Sequence, residues 1–448
     1  MHTRFVHLET HPLARNRAVA DESLKAGQLI FSNPPLTTAL LLQAKGQRCD
    51  NCHRLSNNRN PLLKCSGCVS FWYCSTECQM TQWKAHHRRI CKAYNRYTVS
   101  QEYQALSVNE KVDAVLLSQL LVQIYPNDQF DLTPSAELDP LAATFTELLE
   151  SSTHVEAPPL CRGSRSAAVP RDIIRKSYLR FGNNNFVIHS HLNTYAHGVY
   201  PMASRHFNHS CVPNCVAKYV ITPKQAVRME IVTLRDVAAG AELTIPYLDP
   251  ALPYETRQNA LQSNYGFQCA CPLCTFQERI QPIPPLPSGT DDISHLWERL
   301  RNYVNLEGDN QNHPLIFEMP EEFFPFLSDS CLPELSEEFS RTSHEGQFDI
   351  AVLTGQKLLV FYRMIYPHNF PQIGMHALEL AKTAWNAVVT SEKEAEPSVV
   401  RAFEDIARSS VLVASQVMEN FGIEGDEGGP LEEIRVLRGL LGDNIVSS

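Results

Sequence analysis

The sequence has no apolar run approaching the roughly 18 residues that a membrane-spanning helix needs. Its first residues, Met1-His-Thr-Arg-Phe5, lack the apolar core of a secretory signal. Both absences argue against a membrane or secreted protein and place the expectation in the cytoplasm and nucleus. A cationic surplus is missing as well. The 49 acidic residues outnumber the 39 basic ones, and a net charge of −10 argues against direct nucleic-acid binding. The basic group Lys84, His86, Arg88, Arg89, Lys92 and Arg96 and the acidic stretch from Glu318 to Glu338 read as solvated faces rather than footprints. No strict internal repeat is visible, so any repeat architecture must be argued from periodicity alone.

What the chain does have is cysteine. With 448 residues and 43% apolar content it is long enough for about two to four cores. Its 14 cysteines, in a reducing compartment, point to metal ligation rather than disulfides. Eight ligands crowd into one stretch: Cys49 and Cys52, Cys65 and Cys68, Cys74 and Cys78, His87 and Cys91. A close pair lets one tight turn present two donors to a tetrahedral zinc, so eight donors imply two ions. His87 is the expected ligand because it lies one helical turn before Cys91, with His86 the alternative.

Around this module the texture changes several times. Arg17-Ala-Val19 and Leu29-Ile-Phe31 flank Lys25-Ala-Gly-Gln28 and read as strand, turn and strand. Ser107-Val-Asn-Glu110 is a capping box opening a helix through residue 124. Residues 151–170, rich in Ser, Ala, Pro and Arg, read as a mobile loop. Residues 183–249 carry short β-branched runs and read as all-β, and Gln281-Pro-Ile-Pro-Pro-Leu-Pro-Ser-Gly289 reads as a stiff linker. Beyond it, Ala351, Gly355, Leu358, Tyr362 and Ile365 recur at helical spacing, as do Ile373, Ala377, Leu380, Ala384 and Val388. Val399, Phe403, Ile406, Val413 and Val417 repeat the pattern. Stacked antiparallel helices are expected there.

A second constellation lies in the β segment. Asn208-His-Ser-Cys211 is followed by Glu242-Leu-Thr-Ile-Pro-Tyr247 and then by Tyr265-Gly-Phe267-Gln-Cys269-Ala-Cys271-Pro-Leu-Cys274. Cys269, Cys271 and Cys274 offer three thiolates to a metal that needs a fourth, and Cys211 is the obvious candidate. In this order the motifs closely resemble the SET-and-MYND lysine methyltransferases, across nearly the whole chain.

The resemblance implies an α+β multidomain protein. Its parts are a pseudoknotted SET β-fold split by a MYND double-zinc module, a post-SET zinc site and a C-terminal antiparallel, TPR-like helical domain. The implied order runs from the N-terminal part of SET (1–46) through MYND (47–95) to a helical insertion (96–182). The C-terminal part of SET (183–249), the post-SET segment (250–280) and the helical domain (290–448) follow. It implies S-adenosylmethionine as methyl donor, held by Asn208, His209 and Asn184 with Phe267 stacked on adenine, and three structural zinc ions. Tyr247 resembles the catalytic tyrosine, also touching the donor, with Tyr265 its partner; Phe186, Tyr247 and Tyr265 would line a channel for a substrate lysine. The substrate would be a histone tail or another protein, proline-rich peptides would dock on MYND, and the chain would be a monomer.

Two departures stand out. Where the family carries Gly-x-Gly before Arg-Ala-Val, this chain reads Leu13-Ala-Arg-Asn16, and Pro246 precedes Tyr247. The altered turn motivates the alternative function class, a non-catalytic adaptor binding partners through its MYND and helical domains.

Overall fold

A computed structural model describes residues 5–12, 14–125, 139–151, 156–162, 169–306, 314–391 and 396–442. Leu13 of the altered turn, and residues 152–155 and 163–168 of the expected loop, lie outside the described residues.

Strand β1 (Val6–His11) pairs antiparallel with β2 (Arg15–Ala20). Strands β3 (Leu29–Asn33) and β4 (Thr37–Leu40) precede the zinc module, which holds the short hairpin of β5 (Leu63–Lys64) and β6 (Trp72–Tyr73). The C-terminal half supplies β7 (Asn185–Ser190), β8 (Asn193–Val199), β9 (Asn208–His209), β10 (Cys215–Val220), β11 (Arg228–Thr233) and β12 (Thr244–Ile245). The two halves interdigitate: β3 completes a β10-β11-β3 sheet and β4 a β4-β8-β7 sheet. A third, two-stranded sheet pairs β12 with β9 in parallel, Thr244 opposite Asn208 and Ile245 opposite His209. A SET-type core is therefore assembled from segments that the zinc module and the helices after it hold apart in sequence.

The runs around residues 17–19 and 29–31 are strands, but they do not pair with each other. The turn between them is already engaged: Gly27 N–H donates to the Thr233 carbonyl at 2.8 Å, and Thr233 donates its hydroxyl to the Lys25 carbonyl. The all-β reading of 183–249 also needs correction. Tyr200-Pro201 opens the helix Pro201–His206, with proline in the first turn where its missing N–H is not needed. Ala203 and Phe207 then pack into the SET core with Phe31, Ile188 and Ile231.

The helix Val108–Ile124 starts at the expected capping box, with Ser107 Oγ accepting from Glu110 N–H and Glu110 accepting from Ser107 N–H at 2.8 Å. It buries Leu116, Leu117 and Leu120 against Phe71, Tyr94 and the zinc-module cysteines. All four residues of β4 are buried as a result, and Thr37 donates to the buried Gln119 amide oxygen at 3.0 Å. The periodic C-terminal stretches form the helices Phe348–Ile365, Pro371–Ser391 and Pro397–Phe421, followed by Pro430–Leu440. Ile373, Ala377, Ala414 and Val417 share a core there with Val216 and Val232 of the SET sheet. Among the described residues no helix is long and apolar enough to cross a membrane.

The loop 422–429 between the last two long helices turns back as a strap on the SET strands. The Glu424 carbonyl accepts from Ile221 N–H and its carboxylate from His191 N–H, both at 2.8 Å. Asp426 forms a two-pronged ion pair with Arg48 at the edge of the zinc module. Gly425 sits at φ +102°, where a Cβ would lie 2.3 Å from the Ile221 carbonyl oxygen, so only glycine fits.

Candidate active site and metal centres

The twelve expected metal-ligating side chains gather into three clusters of four, with the donor atoms of each within 4.8 Å of one another. Cys49 and Cys52 meet Cys74 and Cys78; Cys65 and Cys68 meet His87 and Cys91; Cys211 meets Cys269, Cys271 and Cys274. The first two sites are thus interleaved along the chain, first pair with third and second with fourth.

Local structure explains the clusters. In the double-zinc module each of the two Cys-x2-Cys pairs closes a turn whose following residue is left-handed: His53 at φ 61° donates its N–H to the Cys49 carbonyl at 3.0 Å, and Val69 at φ 52° to the Cys65 carbonyl at 2.9 Å. Gly67, inside the second turn, leaves room for the Cys91 sulfur, which a Cβ would approach to 2.8 Å. Ser75 caps the helix Thr76–Gln82 and sets Cys78 in its first turn. A π-helical turn at Trp83–His87 then widens the path into the helix Arg88–Thr98, presenting His87 and Cys91 together. His87 Nε2 lies 3.3 Å from Cys65 Sγ and 3.6 Å from Cys68 Sγ, whereas His86 is buried outside the cluster.

The donor sets fit zinc. Tetrahedral ligation with Zn–S near 2.3 Å sets sulfurs about 3.8 Å apart. The observed separations are 3.5 Å for Cys52–Cys74, 3.6 Å for Cys74–Cys78, 3.8 Å for Cys65–Cys91 and 3.6 Å for Cys211–Cys274. These are far beyond a disulfide bond, and all 14 cysteines are free thiols.

A cavity of about 1430 Å³ opens beside the third cluster. Its wall includes every non-metal candidate residue: Asn184 and Phe186, Asn208, His209 and Tyr247 at and just beyond the β9–β12 pairing, and Tyr265 and Phe267. Tyr247 and Tyr265 stand with ring centroids 4.8 Å apart, Tyr265 and Phe267 6.4 Å, and His209 lies 5.3 Å from Tyr247 and 6.1 Å from Phe267. The Tyr247 hydroxyl donates to the Phe207 carbonyl at 2.8 Å. Its enclosed setting, with Tyr265 and Glu242 nearby, pushes this hydroxyl well above the ordinary phenol range, and burial raises Tyr265 as well. Both therefore stay protonated at neutral pH.

Asn208 donates its amide to the Asn16 carbonyl at 3.0 Å and to Glu242 Oε1 at 2.8 Å, so the turn that lacks Gly-x-Gly still lines the cavity through Asn16. Asn184 is placed differently from the other candidates. Its amide donates to the Arg180 carbonyl and closes the helix Arg171–Gly182, while Asn185 reaches Asp113 at 2.8 Å. His206 points away, donating Nδ1 to the Met202 carbonyl and packing on Phe31. Sequence reasoning missed Asn214, whose buried amide donates to the Glu242 carbonyl and accepts from Thr244 N–H, each at 2.8 Å, clamping β12 in place. An asparagine between Pro213 and Cys215 is the only signal that could have flagged it.

The SET domain family matches residues 17–248. The histone-lysine N-methyltransferase SMYD3 of Mus musculus is 24% identical over 386 residues, covering 82% of this chain and 84% of that protein. The histone-lysine N-methyltransferase ASHR1 of Arabidopsis thaliana is 27% identical over 260 residues, 56% of this chain and 51% of that protein. The N-lysine methyltransferase SMYD2 of Gallus gallus is 26% identical over 270 residues, 56% of each. A solved SET domain of LSMT, bound to lysine and AdoHcy, aligns with 98% of this chain and 86% of that chain at 12% identity. The TM-score of that alignment is 0.25.

Proposed function

Given that the chain belongs to the SET domain family, in the SET-and-MYND arrangement, we propose that it is an S-adenosylmethionine-dependent protein-lysine N-methyltransferase. The observation that carries the reading is the convergence of Asn208, His209, Tyr247, Tyr265 and Phe267 on one cavity wall beside the third metal cluster. At about 1430 Å³ the cavity exceeds the roughly 300–1,000 Å³ of a small-molecule pocket, leaving room for a donor and a lysine side chain together.

In this reading S-adenosylmethionine supplies a methyl group on a sulfonium, which passes to a neutral lysine amine as the carbon–sulfur bond breaks. Asn208 and the main chain of His209 hold the donor, with Asn184 at the rim, and Phe267 stacks on its adenine. Phe186, Tyr247 and Tyr265 enclose the alkyl stem of the lysine, and exclusion of water lowers the amine pKa toward the neutral nucleophile. The Tyr247 hydroxyl, still protonated, orients the amine, and alignment of donor and acceptor supplies most of the rate. Substrates are lysines of histones or other proteins, reached in nucleus and cytoplasm by a monomer that does not bind nucleic acid directly. Proline-rich peptides dock on the MYND module, whose surface exposes Leu63, Met80 and Trp83.

Calorimetric titration with S-adenosylmethionine tests the reading. Saturable binding is expected for the native chain, with loss in Phe267→Ala and Asn208→Ala. A folded, zinc-loaded chain that binds no donor would overturn it in favour of the adaptor.

A further inference from the structure

One side chain spans the gap between the third metal cluster and the candidate catalytic tyrosine. His209 Nδ1 accepts the backbone N–H of Tyr247 at 2.9 Å, and its Nε2 lies 3.2 Å from Cys211 Sγ. A ring nitrogen that accepts an amide proton carries none of its own, so the proton of the neutral imidazole sits on Nε2 and points at the sulfur.

The backbone explains why a side chain is needed there. Parallel pairing of β9 with β12 sets Ile245 opposite His209, and Ser210 N–H donates to the Ile245 carbonyl at 3.2 Å. The next residue, Pro246, has no N–H to continue the ladder. Tyr247 N–H is the first amide beyond the break, and the His209 ring takes it where a strand carbonyl otherwise would. Two residues later in the same loop, Cys211 turns into the metal cluster with 0% exposure.

We propose that His209 is a positioning residue, a relay that couples the Cys211 thiolate of the third metal centre to the backbone amide of Tyr247. Its Nε2–H draws charge from the thiolate and tunes the bond to the metal, as outer-sphere donors do. Its Nδ1 fixes the rotation of the Tyr247 peptide and so the line along which the phenol points. Metal loading and tyrosine placement are then one structural event. The catalytic half of this inference rests on the methyltransferase reading; the structural half does not.

Three variants separate the two ends. Asparagine offers an oxygen near the Nδ1 position and falls short of the sulfur. Glutamine offers an amide donor near Nε2 and leaves the Tyr247 N–H unmatched, and alanine removes both. In cobalt-substituted protein, the thiolate-to-metal charge-transfer band is expected to shift to longer wavelength in His209→Asn and His209→Ala and to hold in His209→Gln. Exchange of the Tyr247 amide, followed by mass spectrometry, is expected to quicken about 3–10-fold in His209→Gln and His209→Ala, the size of one hydrogen bond, and to hold in His209→Asn. Loss of both ends is expected to lower kcat about 10–100-fold with a smaller change in donor affinity. Identical charge-transfer bands in all four proteins, or an unchanged Tyr247 amide in His209→Gln, would overturn the relay. If the native protein methylates nothing, the methyltransferase reading falls, and the band and the amide exchange still decide whether the relay exists.

Discussion

Replacing Asp426 by alanine should loosen the strap that fastens the C-terminal helices to the SET core. Asp426 Oδ1 and Oδ2 receive the Arg48 guanidinium at 3.1 and 2.6 Å, in a site where the two side chains are only 6% and 10% exposed. Without the carboxylate, Arg48 keeps the His53 carbonyl at 2.9 Å and the Tyr195 ring at 4.0 Å, which leaves a buried cation with half its partners. Breaking one side of a buried pair costs about 3–5 kcal/mol, and the retained carbonyl and ring argue for the lower end, about 3 kcal/mol. At about 1.4 kcal/mol per factor of ten, local opening of the strap becomes about 100-fold more frequent. The Ile221 amide, bound to the Glu424 carbonyl at 2.8 Å, reports that opening directly by hydrogen exchange. Asp426→Leu combined with Arg48→Met should recover most of the protection, since apolar replacement of both partners is often neutral. Exchange at Ile221 within about fivefold of native in Asp426→Ala would refute the assignment of this pair as the clasp.

Three further outcomes follow from the same geometry. Metal analysis should find about three zinc ions per chain, and a strong chelator should lower the unfolding temperature; a content near two would remove the Cys211 cluster from the account. Tyr247→Phe, which loses the hydroxyl bound to the Phe207 carbonyl, should lower kcat about 100-fold while donor affinity holds, and parallel loss of both would assign it to binding instead. Burial pushes His376 down to about 4 from an ordinary 6.5, so the native state resists its protonation. Its stability contribution is intact above pH 6.5 and lost as pH falls toward 4, and His376→Gln should flatten that part of the acid unfolding curve. Parallel curves for native protein and variant would show the histidine plays no part.

The candidate site residues were legible because ligand chemistry and aromatic side chains announce themselves. The short spacings of Cys49-x2-Cys52 or Cys269-x-Cys271 have few uses other than a metal, and the Asn208 loop is read beside Tyr247 because a fourth thiolate had to come from somewhere. What stayed hidden was partnership. No spacing tells that Cys49 shares a site with Cys74 and not with Cys65, since that depends on how the turns stack in space. Strand β3 looked like the neighbour of β2 because they are adjacent in sequence, but the turn between them spends its hydrogen bonds on Thr233, some 200 residues away. Asn184, expected at the donor, lines the cavity and also closes a helix end, a second task the sequence did not announce because an amide beside a free carbonyl is captured locally. The strap was illegible for a different reason. Glu424 and Asp426 stand among glycines that signal nothing but turns, and only the buried Arg48, some 380 residues earlier, gives the acids their meaning.

The pairing of Phe31 with Ile231 also bears on how the chain is made. At about 5–20 residues per second, the 200 residues between them take about 10–40 s to synthesise, and β3 spends that interval without its partner. The interleaved zinc module has all its ligands once Cys91 has emerged, so it can close during the wait and pack beside Leu36, Ala39 and Leu41 around the neighbouring strand β4. Translation that stops between residues 91 and 228 would therefore release a chain with a finished metal module joined to half of a SET core, its edge strands open to any other chain that offers a match.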